Sequence, residues 1–173
     1  MPITPAEFEA LYRSHAGEVL GFLRRRGPAA DAEDLLAEVF LVAWRRRADL
    51  PDAVARRAWL FGTARRLLLA AHRGRVGGAG PLDDVSAADV EAADHGTVGA
   101  DRRGAAVRAA LASLAEVDRE LLLLTVWDGL TVAEASEVVG LLPGAGRVRL
   151  HRARRRLAAD PTLVDLLPSP APL

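Results

Sequence analysis

The chain has 173 residues, half of them hydrophobic, with 23 basic and 23 acidic residues, no Cys and four His. That length suits one ordinary domain or two small ones; the lack of Cys excludes a disulfide framework, thiolate metal sites and a cysteine nucleophile, and His15, His72, His95 and His151 lack metal-ligand spacing. No apolar run approaches the ~20 residues of a membrane span and no signal-peptide pattern opens the chain, so a cytoplasmic protein without membrane insertion is expected.

Residues 5–26 carry Phe8, Leu11, Tyr12, His15, Val19 and Leu23 at three- and four-residue steps, the period of a helix, and Gly27-Pro28 ends it. A second helix is expected from Asp31 to about Arg47, with Leu35, Leu36, Val39, Phe40 and Ala43 on its apolar face. Asp49 to Asp52 breaks the pattern, and a third helix follows from about Val54 to His72. Residues 74–101 change character: five Gly or Pro precede an acidic, Ala-rich stretch that reads as a flexible linker, with room for a short helix at 86–94. Helical periodicity returns over 102–126, divided near Val117-Asp118 with Asp118 as the expected cap. Asp128-Gly129 is a turn, Thr131 and Glu134 form a capping-box pattern, Gly140 closes that helix, and Pro143 opens the last one, which runs to about Leu157. The tail is Pro-rich, with Val164 to Leu167 able to dock on the domain.

Charge is neutral overall but unevenly distributed. Residues 1–75 carry 13 Arg against 9 acids, 76–101 carry 6 acids and no base, and 102–173 carry 10 Arg against 8 acids. Fold class and organisation follow: an all-α chain of two small helical domains, 1–75 and 102–158, joined by an acidic linker at 76–101 and followed by a tail at 159–173.

Three helices carry candidate chemistry. In the last, Gly146, Leu150, Ala153 and Leu157 share one face, while Val148, His151, Arg152 and Arg155 lie opposite with Arg147 at the edge. A short capped helix, a Gly-containing turn and an arginine-rich helix make a helix-turn-helix, so this ridge is read as DNA-binding rather than as a solvated basic face. Arginines near the helix start reach base edges and later ones meet phosphates. Gly146 on the inward side costs about 0.5–1 kcal/mol relative to Ala, so a loosened start is expected. In the second helix, Asp31, Asp34 and Glu38 form an acidic edge with no Arg four residues after Asp34 or Glu38. Such an edge awaits a basic partner; alternatively Asp31 is simply the N-cap. In the third, Leu60, Ala64, Leu67, Leu68 and Ala71 face inward, and Trp59, Gly62, Thr63, Arg66, Ala70 and Arg73 outward. Trp59 beside arginines suits stacking with single-stranded DNA; the alternative is that it caps the core.

The stretch LASLAEVDRELLLLTVWDGLTVAEASEVVGLLPGAGRVRLHRARRRL at 111–157 resembles region four of bacterial sigma factors of the extracytoplasmic-function group. FEALYRSHAGEVLGFLRRR (8–26), DAEDLLAEVFLVAWRRR (31–47) and RAWLFGTARRLLLAAHR (57–73) resemble region two of the same family, in the same order. The resemblance implies a sigma factor that binds core RNA polymerase and directs promoter-specific initiation. It implies that Asp31, Asp34 and Glu38, flanked by Leu35, Val39 and Val42, dock on the polymerase clamp; that Arg57, Trp59, Thr63, Arg66 and Arg73, with the preceding loop, engage the −10 element; and that Thr131, Arg147, Val148, His151, Arg152 and Arg155 hold the −35 element. The partners implied are core RNA polymerase, promoter DNA and an anti-sigma factor. The acidic linker suits a basic polymerase channel, or is ordinary disorder.

The chain departs from the family pattern at several positions. Arg66 and Ala70 stand where Asn and Asp are usual, no aromatic occupies the 48–55 loop, Gly146 replaces a usual Val and Leu142 a usual polar cap. These departures motivate an alternative: a sigma-like DNA-binding regulator that has lost efficient initiation. No phosphate loop or dinucleotide fingerprint is present, so neither enzymatic activity nor a cofactor or metal is expected.

Overall fold

Thr4 accepts a hydrogen bond from the Glu7 amide at 3.3 Å while its own amide donates to the Glu7 carboxylate at 2.7 Å. This reciprocal cap, followed by Pro5, starts α1 (Pro5–Arg26). The computed structural model describes residues 2–76 and 98–164, and among these it contains eight α-helices, one 3-10 turn and no strand. After α1 come the turn Ala29–Asp31, α2 (Ala32–Arg45) and α3 (Arg56–Val76); then α4 (Val98–Ala112), α5 (Glu116–Val126), α6 (Val132–Val138), α7 (Pro143–Ala158) and α8 (Pro161–Val164).

Helices α1, α2 and α3 pack on one another. Val19, Phe22 and Leu23 meet Leu36, Val39 and Ala43 of α2 and Leu60, Phe61 and Ala64 of α3 in the core. Phe22 and Phe61 meet edge-on with centroids 5.3 Å apart, a favoured aromatic geometry. A second aromatic cluster, Phe8 on Trp44 and Tyr12 on Phe40, ties the start of α1 to α2. All five apolar residues expected on α2 are buried. Asp31 precedes α2 but makes no side-chain capping bond.

In the second half, α6 and α7 form the helix-turn-helix and α5 packs on both. Thr131 and Glu134 form the expected reciprocal cap. Gly129 (φ +62°) and Gly140 (φ +76°) make the two turns in the left-handed region, which glycine enters without a Cβ penalty. The division between α4 and α5 falls at Ser113–Ala115, earlier than expected, with Ala115 at the cap position. Asp118 is not a cap; it lies inside the first turn of α5, and Arg149 of α7 donates to it at 2.6 Å. A charge-assisted bond across 31 residues outcompeted the local capping role. α8 packs on α4 and α7, which seats the start of the tail. Most of the expected 76–101 linker, the candidate 86–94 helix and residues 165–173 lie outside the described residues.

Gly146 corrects one expectation. It is buried at the crossing of α6 and α7, and a Cβ there would overlap the Ser136 hydroxyl and lie 2.9 Å from its Cβ. Ser136 is itself fully buried and satisfies its hydroxyl by donating to the Val132 carbonyl at 2.5 Å. Glycine here does not loosen the helix; it lets two helix backbones approach with a serine between them. Gly146→Ala should therefore lower stability by about 1–3 kcal/mol through overpacking, although helix propensity alone would raise it by about 1 kcal/mol. Thermal denaturation reads the sign, and adding Ser136→Ala should recover part of the loss.

Candidate nucleic-acid interface

The sixteen-residue helix α7 contains six arginines and no acid. Leu150 and Ala153 bury against the rest of the helix-turn-helix with Gly146, and Leu157 is half-buried. That seating leaves Arg147, Val148, His151, Arg152 and Arg155 exposed on the other side. None of these five has an ionic partner among the described residues, so the ridge presents uncompensated positive charge. Arg149, by contrast, is spent on Asp118. Thr131 is exposed, but its hydroxyl is engaged in its own cap, donating to Glu134 at 2.8 Å. Leu142, at the α7 cap position, makes no side-chain capping bond and is 79% exposed.

On α2, Asp34 and Glu38 are exposed without a partner among the described residues, whereas Asp31 is half-buried. Leu35 and Val39 do not flank them on the surface: both are in the core, where they seat the helix. Val42 is half-buried. The apolar residue that does share the acidic stripe is Leu41, three residues after Glu38 and 45% exposed. The same spacing rule that found the acids locates it.

α3 is less open than expected. Arg66 and Arg73 are exposed, but Gly62 and Thr63 are buried and Trp59 packs against the core. Thr63 donates to the Trp59 carbonyl and accepts from Arg66, both at 2.9 Å. Arg66 of the same helix lies over Gly62 and Thr63, its guanidinium 3.6 Å from where a Gly62 Cβ would sit; α3 also packs along α6 of the helix-turn-helix. Arg57 fastens that contact. It donates to the carbonyls of Asp128 (2.9 Å) and Gly129 (3.2 Å) and to the carboxylates of Glu18 (2.9 Å) and Glu134 (3.4 Å). Two further arginines at the end of α1 reach the same turn. Arg25 and Arg26 both donate to the Asp128 carboxylate, Arg26 at 2.8 Å, and Arg26 also faces Glu120 at 3.2 Å. The Asp128 side chain has no exposure and that of Arg26 is 7% exposed, stacked on the Phe22 ring.

The electrostatics follow these contacts. Burial works against the Glu18 charge, but the Arg57 bond and charge, with His15, outweigh it and hold the carboxyl below its ordinary range. Burial likewise works against the Arg57 charge, and Glu18 and Glu134 outweigh it.

Two family models match. Sigma-70 region 2 covers residues 11–76, and Sigma-70 region 4 covers 104–157. The ECF RNA polymerase sigma factor SigL of Mycobacterium tuberculosis is 31% identical over 88% of this chain and 87% of its own length. The chain belongs to the ECF RNA polymerase sigma-factor family. Among solved structures, that of CnrH in complex with the cytosolic domain of CnrY matches this sigma factor with a TM-score of 0.61 at 26% identity, over 94% of this chain and 90% of that one. The sigma factor RpoE in complex with the anti-sigma factor NepR, from Bartonella quintana, shares the fold with a TM-score of 0.58 at 20% identity, over 87% and 94%. Region 2 of this sigma factor thus corresponds to the α1–α3 bundle, and region 4 includes α5 to α7. Among the described residues, no helix is long and apolar enough to cross a membrane and no acid–histidine cluster could hold a metal.

The Glu18–Arg57 pair sets a pH dependence for this sigma factor. A carboxyl held below its unfolded-state value contributes stability above that value and loses it as pH falls through the folded one. Glu18 is 45% exposed, so screening keeps the contribution small. Glu18→Gln should cost no more than about 1 kcal/mol at neutral pH, and the difference from wild type should vanish in acid; denaturation at a series of pH values measures it.

Proposed function

We propose that this sigma factor binds core RNA polymerase in the cytoplasm and brings it to promoters, acting as a binding protein while the polymerase performs the catalysis. Asp34, Glu38 and Leu41 of α2 dock on the polymerase. Arg66 and Arg73 of α3, with Arg57 and Trp59 once exposed, engage the −10 element. Arg147, Val148, His151, Arg152 and Arg155 of α7 hold the −35 element. One observation carries this: α7 buries its small and apolar residues and turns an unpaired basic ridge outward, the arrangement a recognition helix needs to enter the major groove. An anti-sigma factor is a further expected partner, supported by the relatives solved in complex with other proteins.

Reconstituted transcription with core polymerase tests the whole. Promoter-dependent transcripts are expected, and DNA binding without polymerase binding would favour the non-initiating regulator instead. Asp34→Lys with Glu38→Lys should abolish transcripts and polymerase capture while leaving DNA binding by α7 intact. Arg155→Ala should weaken binding to all duplexes alike and lower the salt slope by about one. Arg147→Ala should cost about 1–3 kcal/mol and relax sequence preference at one base pair; titrations at several salt concentrations separate the two effects.

A further inference from the structure

Resting on the assignment of α7 as the helix that enters the major groove, we propose that Val148 is a thymine reader. Its methyl groups pack on the C5-methyl of a thymine, while Arg147 supplies the guanine contact. The sequence preference of α7 then rests on one methyl group and one bidentate hydrogen bond.

The first support is placement. Gly146, Leu150 and Ala153 are buried and Leu157 is half-buried. At about 100° per residue, Val148 falls almost directly opposite the centre of that set. It is 49% exposed and takes no part in the core. A β-branched residue on an open helix face adds neither helix propensity nor packing, so folding gives Val148 no task. One turn earlier on the same side, Gly144 and Ala145 are exposed, and a Cβ on Gly144 would meet nothing within 4 Å. The start of the ridge thus has no long side chain to hold the backbone away from the base pairs. A side chain as short as valine can then reach them.

The second support is what the groove offers such a side chain. Base edges in the major groove are hydrogen-bond donors and acceptors, and their one apolar feature is the thymine methyl. A valine set against a donor or acceptor strips it of water and returns no hydrogen bond. Set against the methyl, it removes apolar surface from water on both sides.

The third support is what α7 lacks. From Pro143 to Ala158 it contains no Asn, Gln, Asp, Glu, Ser or Thr. Adenine is read by a bidentate carboxamide and cytosine by a carboxylate, and this helix carries neither. His151 offers single hydrogen bonds only. Arg149 is engaged by Asp118, and Thr131 and Glu134 of α6 bond to each other. Arg152 and Arg155 lie further along the helix, toward the phosphates. Base discrimination is left to Arg147, through guanine, and to Val148, through the methyl.

The test uses the full-length chain at low salt on duplexes with a randomised central segment. Enriched duplexes should share a T·A pair close to a G·C pair. In one enriched duplex, each thymine is then replaced in turn by deoxyuridine, which removes the methyl and keeps the hydrogen bonds. At one position the replacement should weaken binding about fourfold. Placing cytosine there should weaken it too, and 5-methylcytosine should bind more tightly than cytosine. Val148→Ala should weaken the thymine duplex about fourfold and leave the deoxyuridine duplex unchanged, because the contact it removes is already gone. Val148→Thr, which keeps one methyl, should fall between. Circular dichroism should stay helical, since the side chain is outside the core. Equal wild-type affinity for thymine and deoxyuridine at every position would overturn the proposal, as would Val148→Ala weakening both duplexes equally. Both results would leave α7 a DNA-binding helix. Failure to bind any duplex would instead overturn the assignment of α7 itself, and the thymine reader with it.

Discussion

A carboxylate removed from water has to be matched by positive charge or it will not stay ionised inside a fold. Asp128 is in that position, and the two guanidinium groups that match it arrive from a helix a hundred residues earlier. Once Arg25 and Arg26 sit on this turn, the end of α1 is fixed against α5. The start of α3, which neighbours it, lies across the Asp128 and Gly129 carbonyls through Arg57. The pairing of α3 with α6 goes with that placement. One turn of four backbone and side-chain acceptors thus governs how the two halves meet.

Within the second half, a different constraint sets the DNA-facing surface. Ser136 occupies the space where a side chain at position 146 would sit, and its hydroxyl is satisfied by its own helix. The two positions have to be considered together: a serine that fills and a glycine that yields. Their contact fixes the roll of α7, and the roll decides which arginines face outward. Arg149 is pulled to Asp118 and holds the same roll from the other side. The ridge from Arg147 to Arg155 is therefore a product of packing on the hidden face.

Much of this was legible in the residues. The bounds of α1 follow from Gly27-Pro28, those of α6 and the start of α7 from Thr131, Glu134, Gly140 and Pro143, and the inward faces of α2 and α7 from period alone. What was not legible shares one cause. Asp118 looks like a cap because local pattern cannot show a partner 31 residues on. Thr63 looks exposed because periodicity marks the outward side of a helix and does not show that Arg66 folds back over it. Leu35 and Val39 belong to the apolar face by spacing and to a partner surface by resemblance; a side chain fully committed to the core cannot also serve the surface, and the core holds them. Gly146 reads as a weakness until Ser136 is seen against it. Leu41 and the run Arg24–Arg26 carried a readable signal, exposure spacing in one case and charge density in the other.

The exposed state of α7 has a consequence for range. Arginines without ionic partners on one face extend their field into solvent, and salt shortens its reach to about 10 Å at 0.1 M. A polyanion is attracted to that face before any contact forms, and the attraction carries no sequence information.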